Sequence, residues 1–227
     1  MPPKRNTKRE RKDEAKRRRL EEIRRRERRA RVRRMYTIGA IVLVIGGLVG
    51  AVLAARAGSS KEDKRLAALA TAGGCSKIEN PKPIAGSHIS PPNKGSYDTN
   101  PPSSGAHYNS PGLGPLQTGI YDTEVPNEGY VHNLEHGHAV IFYQPGLDPT
   151  FLDALKNLVE TDPEWMLLAP RPGLPNKITF VAWGHIQRCD SPNAKMVDVA
   201  KAFYLKYKNK GPEPNLKGVP LPSPTSS

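Results

Sequence analysis

Residues 138–183 read HAVIFYQPGLDPTFLDALKNLVETDPEWMLLAPRPGLPNKITFVAW, and this stretch determines the fold. Three short apolar runs lie within it, HAVIFY at 138–143, WMLLA at 165–169 and ITFVAW at 178–183. They are rich in β-branched and aromatic residues and are bounded by Pro and Gly, which is typical of buried strands. The stretch therefore predicts three strands.

Two helices accompany these strands. Asp148 is suited to a helix N-cap and Pro149 to the first helical position, and apolar residues follow at helical spacing: Phe151, Leu152, Leu155, Leu158 and Val159. A last helix is expected from about residue 194 to 208, with an apolar face of Met196, Val199, Ala200, Phe203 and Tyr207. We predict an α+β fold, a small mixed sheet with helices on a face.

Upstream, residues 75–130 are rich in Pro, Gly, Ser and Asn. Repeated prolines exclude a helix or a central strand over most of this segment. A loop of this length inside a domain is usually functional. We therefore expect a long ordered loop over one edge of the sheet.

Residues 35–55, MYTIGAIVLVIGGLVGAVLAA, contain no charge. About twenty such residues in a helix span the roughly 30 Å hydrocarbon core of a bilayer. A secretory signal peptide would carry a shorter apolar region nearer its start and a small-residue cleavage site, and 54–57 is a poor cleavage site. The sequence predicts one uncleaved transmembrane helix.

The tail before it, residues 1–34, has 18 Lys and Arg against 6 Asp and Glu, so it carries nearly all of the net charge of +13. Basic residues beside a first span keep that side in the cytoplasm, which places the C-terminal part outside the membrane. We expect this tail to contact anionic inner-leaflet lipids. Nucleic acid is a disfavoured partner, because no aromatic residue precedes Tyr36 for bases to stack on.

The chain thus divides into five predicted parts. They are a basic cytoplasmic tail at 1–34, a transmembrane helix at 35–55, a stalk with a short helix at 56–74, an extracytoplasmic globular domain at 75–210 and a disordered Pro-rich tail at 211–227.

The chain has two cysteines, Cys75 and Cys189. An even pair outside the cytoplasm favours one disulfide, which would close a long loop and add about 4 kcal/mol of stability. Two free thiols, or a cysteine pair on a metal, are the alternatives.

Three histidines and a carboxylate lie within seven residues, His132, Glu135, His136 and His138, and His107 lies upstream. On a strand the three histidines share a face, and on a helix the first two stand one turn apart. Neutral imidazole is a ligand for zinc, copper, nickel and iron. We predict a copper or zinc site formed by His107, His132, His136 and His138, with Glu135 orienting an imidazole or acting as a general base.

Other interpretations of these residues remain. The sequence 132–136 matches the H-x-x-E-H pattern of inverzincin peptidases, in which Glu135 would activate water. That chemistry needs a continuous helix, whereas Gly129 and Gly137 bracket the motif. A further alternative is that the histidines lie in a tight turn and only hydrogen-bond the backbone. A nucleophile at Ser103 or Ser104 is disfavoured, because neither lies in a G-x-S-x-G turn.

Two histidines lie outside the predicted site. His88 is in a plain polar loop and is predicted to be solvated. His185 follows a strand end, where a surface position is favoured and a fourth ligand is the alternative.

Four segments, 97–107, 131–137, 169–173 and 182–184, closely resemble the bacterial domain-of-unknown-function family 3105. The first two are the specific ones, YDTNPPSSGAH and VHNLEHG. The resemblance covers about residues 75–189.

This resemblance implies a membrane-anchored or exported bacterial protein and no particular reaction. It implies the pairing of Cys75 with Cys189. It favours His107, His132, Glu135 and His136 as site residues over His138 and His185.

We expect a single-pass protein of the bacterial cell membrane whose extracytoplasmic domain binds copper or zinc, for sensing, buffering or delivery of the metal. A thioether-rich Cu(I) carrier is disfavoured, because Met166 and Met196 lie in apolar runs. Another protein of the envelope is a candidate partner. Binding is favoured over catalysis, and the alternatives are an extracytoplasmic metal-dependent hydrolase with Glu135 as base and a non-enzymatic envelope scaffold.

Overall fold

The computed structural model describes residues 8–222, with the backbone alone described at a few positions of its first helix: 8–11, 15 and 52–60. Residues 1–7 of the predicted basic tail and 223–227 of the predicted Pro-rich tail lie outside the described residues. The chain forms two units, residues 1–61 and 62–227.

The first helix, α1, runs from Lys8 to Ala72. Arg, Lys, Glu, Leu and Ala dominate its two ends, and these are strong helix formers. Within the first unit, the part Lys12–Ala51 is long and apolar enough to cross a membrane, the one such helix among the described residues. A signal sequence would meet the same two criteria. The helix ends before Gly74, whose φ of +72° is a left-handed conformation that glycine adopts without strain.

Up to residue 222, the second unit contains three more helices and seven strands. The helices are α2 Asn127–Glu135, α3 Pro149–Glu160 and α4 Met196–Tyr207. The strands are β1 Ser87–Ile89, β2 Ala106–Tyr108, β3 Gly119–Ile120, β4 Ala139–Tyr143, β5 Met166–Pro170, β6 Ile178–Ala182 and β7 His185–Cys189.

Five of the strands form one mixed sheet in the order β3-β5-β4-β6-β7. Strand β5 pairs in parallel with both β3 and β4, whereas β6 runs antiparallel to β4 and to β7. Strands β1 and β2 form a separate two-stranded parallel sheet. The predicted α+β fold with a mixed sheet is confirmed.

Both faces of the five-stranded sheet are buried. Along β4, Ala139 and Ile141 join a core that includes α3, α4 and Ala70 at the end of α1. Val140 and Phe142 point the opposite way, into a second core with residues of α2. Because both faces are covered, the central strands are apolar at nearly every position. The prediction placed helices on one face, and the structure adds α2 on the other.

The elements predicted between residues 138 and 208 are confirmed to within two residues at each end. Asp148 caps α3, since its side chain accepts a hydrogen bond of 2.8 Å from the Thr150 amide. Strand β7 was not predicted, because its sequence HIQRC is partly polar and does not form an apolar run.

The predicted disulfide is confirmed. The Sγ atoms of Cys75 and Cys189 lie 1.99 Å apart. The segment that follows Cys75 runs beside β7, and Glu79 exchanges two backbone hydrogen bonds with Ile186, at 2.7 and 3.0 Å. The bridge therefore joins the entry of the second unit to the end of its last strand.

The predicted disorder from residue 211 onward is wrong for residues 211–222. The amide of Gly218 donates a hydrogen bond to Glu164 O at 2.9 Å. The amide of Thr118 donates to Val219 O at 3.0 Å, and Thr118 O accepts from the amide of Leu221 at 2.8 Å. Proline-rich composition suggested disorder, but these backbone hydrogen bonds to β3 and its neighbours hold the segment in place. We call residues 211–222 the C-terminal segment.

Candidate metal centre

Helix α2 and the small β1–β2 sheet bring four side chains together. In the parallel register of this sheet, His88 lies directly opposite His107. Helix α2 packs against β2, and His132 and Glu135 share one face of that helix because they are three residues apart. One nitrogen or oxygen of each of these four residues lies within 4.8 Å of the others. We call this group the His3Glu cluster.

Helix α2 corrects the prediction of an irregular chain around residue 130. Gly129 lies inside the helix, where a Cβ would come within 2.8 Å of Leu116 Cδ2, so glycine here permits a close approach of the neighbouring loop. Gly137 ends the helix in the left-handed conformation, with φ +81°. The Gly137 amide donates to Leu134 O at 2.9 Å, and the His138 amide donates to Asn133 O at 3.0 Å. These two hydrogen bonds form a Schellman cap. Gly129 and Gly137, which favoured a non-helical chain, are therefore compatible with a helix: one lies inside α2 and the other ends it.

Distances within the His3Glu cluster are short. His107 Nε2 lies 2.9 Å from Glu135 Oε2, and His88 Nε2 lies 3.9 Å from the same oxygen. The ring centroids of His107 and His132 are 4.7 Å apart. His107, His132 and Glu135 are buried, whereas the His88 side chain is 49% exposed. The cluster is thus closed on the protein side and reaches solvent at His88.

Backbone carbonyls orient two of the imidazoles. His107 Nδ1 lies 2.9 Å from Gly105 O, and His132 Nδ1 lies 2.6 Å from Tyr108 O. A carbonyl oxygen only accepts, so each Nδ1 must carry the hydrogen. In a neutral imidazole the lone pair is then on Nε2, which in His107 is the atom that faces Glu135. Burial lowers the pKa of His132 from 6.5 to about 4, more than the Tyr108 hydrogen bond raises it.

Two buried atoms at the centre of the cluster are left without hydrogen bonds. Among residues 8–222, neither His107 Nε2 nor Glu135 Oε2 has a hydrogen-bond partner, although the two atoms are 2.9 Å apart. Buried polar atoms are nearly always paired, so a pair of unsatisfied atoms that face each other requires an explanation.

The structure places the other predicted ligands next to the cluster rather than in it. The His136 ring is 4.8 Å from that of His132, and its Nδ1 bonds to Glu213 O at 3.0 Å. His138 uses both ring nitrogens, Nε2 with Leu216 O at 2.9 Å and Nδ1 with the Asn133 amide at 3.1 Å. Of the predicted set, His107, His132 and Glu135 are brought together. A role of Glu135 as general base stays a prediction.

His185 and the two serines lie in other contacts. The His185 ring stacks on Tyr207 at 4.0 Å, and its Nδ1 bonds to Asn80 Oδ1 at 2.7 Å. Ser104 Oγ accepts the Ile84 amide at 2.9 Å, and Ser103 O accepts the Gly184 amide at 2.8 Å. Ser104 thus holds the loop that leads into β1, and Ser103 binds the turn between β6 and β7.

His88 is the cluster residue that the sequence analysis missed. It was predicted to be solvated because no periodicity or motif surrounds it. One pattern in the sequence does point to it, because Ser87-His88-Ile89 and Ala106-His107-Tyr108 share a small residue, a histidine and an apolar residue. Those two triplets are the strands that pair.

A family model described as "Protein of unknown function (DUF3105)" matches residues 88–219, more than half of the chain. The chain belongs to this family. The DUF3105 match includes all four residues of the His3Glu cluster and most of the C-terminal segment. No curated protein and no solved structure matches the chain.

Within the DUF3105 region, the cluster offers three imidazole nitrogens and one carboxylate oxygen. This donor set suits zinc, copper, nickel and iron. Met166 and Met196 are fully buried in the apolar core, away from the cluster. The cluster therefore has the nitrogen and oxygen donors of a transition-metal site.

Proposed function

We propose that this protein binds a transition metal ion, copper or zinc, through His88, His107, His132 and Glu135. The observation that carries the proposal is the pair of buried, unsatisfied atoms His107 Nε2 and Glu135 Oε2. The ligand set differs from the predicted one, because His88 replaces His136 and His138.

The hydrogen-bond pattern favours a cation between the two atoms. His107 donates through Nδ1 to Gly105 O, so in the neutral ring a lone pair on Nε2 faces the Glu135 carboxylate oxygen at 2.9 Å. Two electron-rich atoms at that distance repel each other unless a positive charge lies between them. A proton on Nε2 would supply that charge as an ion pair, but no hydrogen bond joins the two atoms in the part of the chain that the structure describes. A metal ion accepts both lone pairs.

The burial of the cluster supports tight rather than incidental binding. Three of the four side chains are buried, and two of the three imidazoles are held by backbone carbonyls. Fixed imidazole orientation of this kind strengthens metal binding, because less freedom is lost when the ion arrives. We favour copper or zinc, because imidazole nitrogen with one carboxylate suits both ions.

The location proposed for this activity is the outer side of a bacterial cell membrane. One helix is long and apolar enough to span the bilayer, and the basic residues before it favour a cytoplasmic N-terminus. The Cys75–Cys189 pair is at bonding distance, which suits an oxidising compartment. The protein would then sense, buffer or deliver metal at the cell surface, with residues 1–34 on anionic lipid and an envelope protein as partner.

The proposal is tested on the full chain, purified in detergent from an exporting host and dialysed against Cu²⁺ or Zn²⁺. Elemental analysis is compared between wild type, His107→Ala and His132→Ala. His185→Ala is the matched control, because it removes a histidine of the same domain that lies outside the cluster.

We expect one equivalent of ion in the wild type and in His185→Ala, and its loss in the two cluster variants. Equal metal content in all four proteins, or none in the wild type with either ion, would contradict the proposal. Circular dichroism of each metal-free protein checks that the variants are folded.

A further inference from the structure

The four residues of the His3Glu cluster are not equivalent. His107, His132 and Glu135 are buried, whereas the His88 side chain is 49% exposed. His107 and His132 are fixed by backbone carbonyls, but within residues 8–222 the His88 ring has a single hydrogen bond, accepted by its Nδ1 from Asn109 Nδ2 at 3.2 Å. His88 is thus the cluster residue that is both open to solvent and weakly held.

The backbone around His88 gives it room to move. Strand β1 is three residues long and pairs only with β2, and residues 85–88 are all exposed. Gly86 lies directly over the buried ligands, where a Cβ would overlap Glu135 Oε1. The cover of the cluster is therefore a thin run of small residues that ends in His88.

The distances also separate His88 from the rest. Metal bonds of about 2.0–2.1 Å in a tetrahedral site place neighbouring ligand atoms about 3.3 Å apart. His107 Nε2 is already within that distance of Glu135 Oε2, at 2.9 Å, whereas His88 Nε2 is 3.9 Å away. His88 must move inward to complete the site, and the same movement in reverse opens it.

We infer that metal enters and leaves this site at His88, whose imidazole is replaced by a donor atom of the incoming carrier or chelator while His107, His132 and Glu135 still hold the ion. In this exchange the bond from the metal to His88 Nε2 breaks and a bond to the incoming nitrogen or sulfur atom forms, with no change in the oxidation state of the metal. The inference rests on the proposed metal site and adds the route of transfer, which suits delivery to a partner with an exposed imidazole or thiolate.

The test measures how fast a chromophoric chelator removes Cu²⁺ or Zn²⁺ from the loaded full chain in detergent. For the wild type, we expect a rate that rises with chelator concentration, because the chelator takes the His88 position. His88→Ala should still bind one equivalent but release it roughly ten-fold faster or more, since affinity differences of this kind appear mainly in the release rate.

The His132→Ala variant distinguishes the exchange role of His88 from the existence of the metal site. If it loses the ion while His88→Ala keeps it, the fixed and exchangeable roles are both supported. If His88→Ala loses the ion as completely as His132→Ala, or releases it no faster than the wild type, the exchange role is overturned and the metal site stands. If the wild type takes up neither ion, the metal site itself is overturned.

Discussion

Gly86 is one backbone position on which the arrangement of the cluster depends. A Cβ at this residue would overlap Glu135 Oε1 and lie 3.3 Å from His107 Cε1. Any other residue would force either the carboxylate or strand β1 to shift. Glycine is needed here for close approach to the buried ligands and not for an unusual backbone angle.

The substitution Gly86→Ala should therefore weaken metal binding more than it weakens folding. We expect affinity for Cu²⁺ or Zn²⁺ to fall roughly ten-fold or more, as for other changes that misorient a ligand. The unfolding free energy should change by less than about 1 kcal/mol, because the residue is exposed. Titration calorimetry and chemical denaturation measure the two quantities, and Ser87→Ala is the control on the same strand. Unchanged affinity would show that Glu135 does not hold the ion.

His138 predicts how stability depends on pH. Burial lowers its pKa from 6.5 to about 4, more than the hydrogen bond to Leu216 O raises it. Between these values the unfolded chain binds a proton that the folded chain does not, so the stability contributed by the neutral ring is complete above pH 6.5 and is lost as the pH falls towards 4.

His138→Gln should flatten this dependence while keeping a donor for Leu216 O. Chemical denaturation between pH 4 and 7, with a chelator present to remove metal, measures the slope. The slope should decrease without vanishing, because the pKa of His132 is lowered to the same value. An identical slope in the two proteins would mean that His138 titrates normally in the folded state.

Single residues also show which parts of the candidate site local sequence patterns could not predict. His107, His132 and Glu135 were found from local motifs, but His88 enters the cluster through the pairing of β1 with β2, nineteen residues apart in the chain. Local periodicity contains no information about such a pairing. His138 was judged by its closeness in sequence to His136, whereas its two hydrogen bonds direct it to the C-terminal segment and Asn133.

Helix α2 is the element that positions half of the cluster, and its end depends on Gly137. This residue has φ +81°, and a Cβ on it would lie 2.6 Å from Lys210 N and 2.7 Å from Asn209 Cα. Backbone strain and a backbone clash therefore coincide at one position. Gly146 has a similar φ of +86° but open space around it. A substitution at Gly146 therefore measures the cost of backbone strain without a clash.

We expect Gly146→Ala to cost about 1–2 kcal/mol, the cost of a left-handed residue with a side chain. Gly137→Ala should cost roughly 3 kcal/mol or more, because a backbone clash adds to that strain. Urea denaturation of both variants gives the comparison. Equal costs would indicate that the contact with residues 209–210 yields without penalty.

The elements that could be predicted are those with strong apolar patterns. Strands β4, β5 and β6 and helices α3 and α4 were found because burial of whole strands and of a helix stripe is visible in composition. Helix α2 was missed because eight of its nine residues are buried, polar ones among them, so no amphipathic stripe exists. Strands β1, β2 and β3 have two or three residues each, too few for any alternation to show.

The second unit is closed as a whole by two long-range connections. The disulfide joins residues 75 and 189, 114 positions apart. The C-terminal segment crosses from the end of α2 to Thr118, directly before β3, and hydrogen-bonds at both places. Both connections act on the entire unit, because most of its elements lie in the chain between them.

Loss of the disulfide should destabilise this unit as one body. Replacement of both cysteines, Cys75→Ser with Cys189→Ser, should lower the unfolding free energy by about 4 kcal/mol, because a loop of this length loses much entropy when it is closed. Thermal unfolding of the double variant is compared with wild type with and without reductant. Reductant should lower the melting temperature of the wild type and leave the variant unchanged, and a wild type that is insensitive to reductant would contradict the assignment.

The C-terminal segment also determines when the surroundings of the cluster can form during protein synthesis. The amide of Glu213 donates to Glu135 O at 3.0 Å, and carbonyls of the segment bind the rings of His136 and His138. These partners are synthesised after every helix and strand of the unit. Until they are synthesised, the last turn of α2 and the rings of His136 and His138 lack these hydrogen bonds. The surroundings of the cluster are therefore completed only after synthesis has passed the final strand and helix. A prematurely terminated chain would therefore contain all four cluster residues and still lack the support behind them.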